Sequence, residues 1–136
     1  MPSNRPSAPR LASAMAARLN AVVPSGLLVR SDGPSIGLFT GTDIWGGSIA
    51  AEIIADDDGR SLAEKVETAV LAILEGIQDD IMESSKEQWP IGRNGKVSLP
   101  GTRVDGERLF MWFGDEADPV VAFPPLSLAE VLEGAA

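Results

Sequence analysis

The sequence contains no cysteine, no histidine and no tyrosine among its 136 residues. Without cysteine it has no disulfide, no thiolate nucleophile and no Cys-ligated zinc. Without histidine it lacks the side chain best suited to proton transfer near neutral pH, and the Ser-His-Asp and Cys-His catalytic arrangements are excluded. Any enzyme built on this chain would have to use carboxylates, lysine, serine, threonine or a hard metal ion. We therefore expect no enzymatic activity, no cofactor and no metal centre.

Basic residues are also scarce, with 11 Lys and Arg against 20 Asp and Glu, which gives a net charge of −9. This balance argues against general binding to nucleic acid or to an anionic membrane, and it favours solubility. No apolar run is long enough for a transmembrane helix. The lack of cysteine is compatible with a reducing cytoplasm, where we expect the protein to be. The expected partner is therefore another protein.

The length predicts a single domain that buries a sizeable core. Residues 1–8 contain two prolines and several polar residues, which predicts a disordered N-terminal tail followed by one α+β domain over residues 9–136. A first amphipathic helix is predicted to begin near Ser7–Pro9 and to run to about Ala21, because its apolar residues recur at helical spacing and Pro24 follows it.

One long amphipathic helix over residues 61–88 organises the rest of the chain. Ser61 and Glu64 fit the S-x-x-E capping box at its start, and Pro90 prevents it from continuing. Its apolar residues recur at steps of three and four and so share one face. These residues are Leu62, Val66, Val70, Ile73, Ile77 and Ile81.

The opposite face of this helix is acidic, with four acids at successive four-residue steps: Glu75, Asp79, Glu83 and Glu87. Like charges at this spacing repel by a few tenths of a kcal/mol per pair. A basic partner or a cation would explain why that cost is tolerated. The simpler interpretation is a solvated outer face, screened by salt.

Three strands are predicted before the helix, at Leu27–Ser31, Ser35–Thr40 and Ser48–Ile54. The glycine-rich segment GTDIWGG at 41–47 is predicted as a loop that contains Trp45. It matches no phosphate-binding pattern.

After the helix, Asp105-Gly106 predicts a tight hairpin turn that leads into a strand at Arg108–Phe113. This strand is apolar on both faces, which is typical of a central strand or of one whose second face meets a partner. A further strand is predicted at Val120–Phe123. Ser127 begins a short last helix with a second capping box.

The segment Trp89–Gly101 is irregular, and Asn94-Gly95 predicts a small hairpin within it. Five basic residues lie in or near it: Lys86, Arg93, Lys96, Arg103 and Arg108. This basic loop, for which Arg93, Lys96 and Arg103 are the candidate site residues, could receive an acidic or carboxylate-bearing ligand. The alternative is a mobile loop whose charges balance nearby acids.

The acidic run Asp56-Asp57-Asp58-Gly59 does not fit an EF-hand, because Ile54 and Lys65 stand where the loop needs acidic first and last residues. Acids just before a helix are already explained by the positive end of its dipole. A weak magnesium or calcium contact of another kind is the alternative.

The predicted order α-β-β-β-α-β-β-α gives an α+β domain whose antiparallel sheet packs against one long central helix. In element order, length and acidity the chain resembles type III secretion chaperones and their YbjN-like relatives. The features that carry the resemblance are the helix caps at Ser61 and Ser127, the strands within 27–54 and the hairpin at Asp105-Gly106. The resemblance implies a homodimer with a sheet or groove for an extended client segment, and no catalysis.

Under this interpretation the candidate residues for client or dimer contact are Trp45, Trp89, Phe110 and Trp112. The alternative for all four is ordinary packing in the core and loops. A second hypothesis is an inhibitor or immunity-type protein, whose acidic row from Glu75 to Glu87 occupies a basic cleft such as that of a nuclease toxin.

Overall fold

The structure is a computed structural model, and it describes residues 5–41 and 43–133, with the side chain of Trp45 excepted. Two α-helices, seven strands and two 3-10 helices are assigned in these residues. In chain order they are α1 (Ala8–Leu19), β1 (Leu27–Asp32), β2 (Ser35–Thr40), β3 (Asp43–Ser48), a 3-10 helix (Ala50–Ala55), α2 (Leu62–Ser85), β4 (Pro100–Asp105), β5 (Arg108–Asp115), β6 (Asp118–Ala122), β7 (Leu126–Ser127) and a second 3-10 helix (Leu128–Val131).

Helix α1 begins at Ala8, within the range Ser7–Pro9 that the sequence predicts for its start. The Ser7 hydroxyl caps it by accepting the Arg10 amide at 3.3 Å. The Ser7 amide donates to the Val131 carbonyl at 2.6 Å, and Ala8 is buried. The folded part of the chain therefore starts before Pro9, within the tail predicted over residues 1–8. Residues 1–4 of that tail lie outside the described residues.

The first sheet contains β1, β2 and β3 in that order, all antiparallel. Here the sequence prediction was wrong by one element, because most of the predicted loop at 41–47 is the strand β3. The predicted strand at 48–54 is a 3-10 helix, in which Ala51 and Ile54 are buried three residues apart. A short apolar run fits either period, and the helical one prevails because this segment packs against α2.

The second sheet has β5 at its centre, with β4 on one side and both β6 and β7 on the other. This arrangement confirms the central strand predicted from its two apolar faces. Leu109, Met111 and Phe113 are buried in the core, while Phe110 and Trp112 are half-buried on the opposite face. The predicted last helix is only the second 3-10 helix, and the Glu130 carboxylate accepts the Ser127 amide there at 2.9 Å.

Helix α2 packs against both sheets and supplies much of the core. The Ser61 hydroxyl accepts the Glu64 amide at 3.2 Å, as the capping pattern predicts. Five residues of the predicted apolar stripe are buried, and Leu62 packs partly buried against the same core. The helix ends at Ser85, where Lys86 takes a left-handed conformation with φ 58°. The α+β class is confirmed, with two antiparallel sheets where the prediction has one.

Candidate functional site

The four aromatic residues predicted to contact a partner do not form one surface. The Trp89 ring packs edge-on against the buried Phe113, with ring centroids 5.2 Å apart, and belongs to the margin of the core. Phe110 and Trp112 lie together on the outer face of the second sheet. The side chain of Trp45 lies outside the described residues. The structure thus brings only Phe110 and Trp112 together.

The outer face of the second sheet is covered by its own side chains. The Arg103 guanidinium lies over the Phe110 ring at 5.4 Å, and its Nε donates to the Glu116 carboxylate at 2.6 Å. That hydrogen bond raises the pKa of Arg103. The Trp112 indole lies directly over Gly101, where an added Cβ would come within 2.6 Å of the ring. We call this surface, formed by Arg103, Phe110, Trp112, Glu116 and Gly101, the covered face.

The outer face of the first sheet is open instead. Leu28, Phe39 and Ile44 are direct cross-strand neighbours on β1, β2 and β3, so they form an apolar row across the sheet. Leu28 is 39% exposed and Ile44 67% exposed. Next to this row lies the glycine pair Gly37 and Gly47. We call this surface the open face.

A groove of about 290 Å³ runs over the open face. Its exposed surface is mainly apolar side chain and glycine backbone. The lining residues are Arg30, Ser31, Asp32, Ser35, Ile36, Gly37, Phe39, Ile44, Gly46 and Gly47. The Arg30 guanidinium lies 5.2 Å from the Phe39 ring centroid and so closes one side. The predictions from the sequence do not include this surface, although the run of glycines around Trp45 is a pattern that indicates it.

Gly46 connects the open face to helix α2. Its φ of +94° favours glycine, and an added Cβ would lie 2.8 Å from the Asp80 carboxylate. Partial burial, then repulsion by Glu83 and Asp79, raises the pKa of Asp80 to about 6. The Asp80 carboxylate thus packs beneath the strand that carries Ile44, and it has no hydrogen-bond donor among the described residues.

Two strand edges are closed by side chains of neighbouring helices. At β1 the Asn20 side chain accepts the Val29 amide and donates to the Val29 carbonyl, both at 2.7 Å, as a paired strand would. At β4 the Glu67 carboxylate accepts the Val104 amide at 3.3 Å. These contacts block the pairing of another strand along β1 and β4.

The acidic face of α2 is only partly as predicted. Glu75, Asp79 and Glu83 are exposed on the helix, and none of them forms an ion pair with any described residue. Glu87 lies beyond Lys86, where the helix has ended, so the predicted fourth member does not continue the row. The row ends at Glu83 because the left-handed conformation of Lys86 ends the helix before Glu87.

The basic loop forms the hairpin that Asn94-Gly95 predicts, with Ile91 bridged to Val97. The structure does not join its candidate residues into one basic patch. Arg93 pairs with Asp118 at 3.1 Å, while Arg103 pairs with Glu116 on the covered face. Lys96 is exposed. A cavity of about 550 Å³ separates the hairpin from β6, and its charged lining is of both signs: Arg93, Asp115 and Asp118.

The acidic run before α2 is partly neutralised. Asp58 pairs with Arg60 at 2.7 Å, and the hydrogen bond from that guanidinium lowers the pKa of Asp58. The described ranges, 5–41 and 43–133, contain no group of three acidic, histidine or cysteine side chains placed to hold a metal ion. In the same ranges no helix is long and apolar enough to cross a membrane.

Compared with known proteins, the chain matches no protein-family model, no curated protein and no solved structure.

Proposed function

We propose that this chain is a non-catalytic protein-binding domain that holds an extended, apolar segment of a client polypeptide on the open face. The observation that carries the proposal is the apolar row of Leu28, Phe39 and Ile44 along the groove, in which Leu28 and Ile44 are exposed. Exposed apolar rows of this kind bury well against another polypeptide, at roughly 25 cal/mol per Å² of apolar area removed from water.

The size and lining of the groove favour a polypeptide over a small metabolite. Sites for small ligands usually enclose about 300–1,000 Å³ and surround most of the ligand. A groove of about 290 Å³ open on one side has room for one or two side chains. Because Gly47 has no side chain, and an added Cβ there would meet nothing closer than 3.8 Å, a client backbone can approach the sheet closely at this position. Arg30 and Asp32 at the rim supply polar contacts for that backbone.

The test is capture of the tagged full-length protein from its native cells, followed by identification of what co-purifies. Ile44→Asp should release the client, since a carboxylate would be buried against it. The matched control is Ile91→Asp, because Ile91 is also exposed but lies on the basic loop. Equal recovery of the same client with both variants would refute the open face as the binding surface. Light scattering on the recovered complex tests the homodimer that the family resemblance implies.

A second candidate function is an inhibitor or immunity-type protein for a basic partner. The observation that favours it is the set of three exposed and unpaired acids on α2, Glu75, Asp79 and Glu83. Electrostatic attraction of this kind is salt-dependent. Replacing the three acids by their amides should then weaken binding and flatten its dependence on salt. A client bound through the open face should instead be released by Ile44→Asp, whereas a basic partner bound only through these acids should be retained by that variant.

A further inference from the structure

A second groove, of about 320 Å³, lies between α2 and the segment that leads into β4. One side of it is apolar. Leu99 is 70% exposed there, next to Pro100 and the half-buried Leu71. The other side carries the exposed carboxylates of Glu75 and Asp79. This pairing of an alkyl surface with negative charge differs from the open face, where the surface of the groove is mainly apolar.

Gln78 forms the floor of this groove and is 4% exposed. Its Nε2 donates to the Ser98 carbonyl at 2.6 Å and to the Trp89 carbonyl at 3.2 Å. Because both partners are carbonyl oxygens, the amide orientation is fixed with nitrogen towards them. Its Oε1 has no hydrogen-bond partner among the described residues.

No fully buried side-chain nitrogen or oxygen of the described residues lacks a hydrogen-bond partner. The Oε1 of Gln78 is therefore not fully buried, and Gln78 lines the groove. All three polar side chains of the groove, those of Glu75, Gln78 and Asp79, thus offer hydrogen-bond acceptors and no free donor. We therefore expect a ligand with an alkyl chain that carries a positive charge and several hydrogen-bond donors.

We infer that this groove binds the side chain of a lysine or arginine from a polypeptide partner. The methylene stem packs on Leu71 and Leu99, as long basic side chains do on apolar surface. The cationic head lies between Glu75 and Asp79 and donates to the Oε1 of Gln78. The inference rests on the proposed binding of a polypeptide and adds the chemistry of one of its side chains. A hydrated metal ion would gain nothing from the apolar side.

The test is an NMR titration of the full chain with Nα-acetyl-lysine methylamide and, separately, with the arginine equivalent. Saturable shifts are expected at the amides of Leu71, Glu75 and Leu99. The uncharged Nα-acetyl-norleucine methylamide should produce none. The double variant Glu75→Gln/Asp79→Asn should weaken binding about fivefold or more, because both ion pairs with the cationic head are lost.

Two further variants separate a specific groove from a general acidic field. Leu99→Ser should weaken binding about threefold by removing apolar contact with the stem. Glu83→Gln, an exposed acid on the same helix outside the groove, should change the affinity less than about twofold. Equal weakening by Glu83→Gln and the double variant, or shifts that never saturate, would overturn the inference. An unchanged amide spectrum away from the groove controls for folding.

The result of the NMR titration can be distinguished from the result of the client capture that tests the proposed function. If the client is captured and released by Ile44→Asp while the lysine and arginine probes cause no saturable shift, this inference alone fails. If the probes saturate the groove while Ile44→Asp retains the client, the groove stands and the open face is refuted.

Discussion

The outer faces of the two sheets contain similar residues, but only the face of the second sheet is covered by its own side chains. Each places a glycine next to aromatic and basic side chains. On the covered face Trp112 lies flat on Gly101 and Arg103 is held by Glu116. On the open face no described side chain covers Gly47, and Ile44 is 67% exposed. The face that carries the tryptophan is therefore the one already covered. The presence of large apolar residues does not by itself identify a binding surface, because their own neighbours can cover them.

The largest expected difference in stability is between a variant that loses a covering side chain and one that loses an exposed side chain. Trp112→Ala should lower the free energy of unfolding by about 2–3 kcal/mol, because a large half-buried ring is lost. Ile44→Ala should lower it by less than about 0.5 kcal/mol, since that side chain is mostly in water. Urea denaturation measures both. If the two variants were equally destabilised, the distinction between the faces would be wrong.

A matched pair of glycines sharpens the same distinction. Gly101→Ala should cost about 1–2 kcal/mol, because the new Cβ would come within 2.6 Å of the Trp112 indole and displace it. At Gly47 an added Cβ meets nothing closer than 3.8 Å. Gly47→Ala should therefore change stability by no more than about 0.5 kcal/mol. Thermal melts of both variants give the comparison. A larger loss at Gly47 would mean that the open face is packed against something.

Substitution of Asp80 tests how the carboxylate beneath the open face affects stability. Its pKa is about 6 in the folded chain, above the ordinary value of 3.8, so the folded chain binds the proton more tightly. Stability therefore falls as the pH rises from about 4 to about 6, and the loss is complete above that window. Asp80→Asn should raise the free energy of unfolding at pH 7 by about 1 kcal/mol, after solvent screening of a partly exposed group.

At pH 4 the gain from Asp80→Asn should disappear, because the native carboxyl is then largely protonated. Urea denaturation at pH 4 and pH 7 measures this. Glu107→Gln, at an exposed turn, is the control and should show no such dependence on pH. A gain of equal size at both pH values would mean that it does not arise from the ionisation of Asp80.

Much of the fold follows from local sequence signals. The apolar stripe and Ser61 predict α2, and the two-sided apolar pattern predicts the central strand β5. The turns at Asn94-Gly95 and Asp105-Gly106 also lie where the sequence indicates. Each of these signals concerns residues within one element or one turn, where spacing alone is decisive.

The surfaces could not be predicted in the same way, because they depend on contacts between distant residues. Glycines favour a loop, yet Gly46 lies in a strand, at a bulge in the pairing of β2 with β3. Its φ is positive, and it packs against the Asp80 carboxylate. Leu99 lines the groove beside Glu75 because Gln78 binds the Ser98 carbonyl, 20 residues along the chain. No local pattern contains such pairings.

The smallest expected effect concerns α2, which both sheets share. Lys86 ends the helix at φ 58°, a conformation that costs a side-chain-bearing residue about 1 kcal/mol and glycine little. Because glycine also loses more chain entropy on folding, the net gain from Lys86→Gly should be about 0.5 kcal/mol. Lys96→Gly, in an exposed loop without positive φ, is the control and should give no gain.

Since both sheets pack on α2, the gain from Lys86→Gly should reach both of them. Hydrogen exchange should slow equally at core amides such as Leu38 in β2 and Met111 in β5, if these exchange by global unfolding. Slowing confined to Met111 would show that the two sheets unfold separately. The open and covered faces would then belong to units of different stability, and a client could be released by opening the first sheet alone.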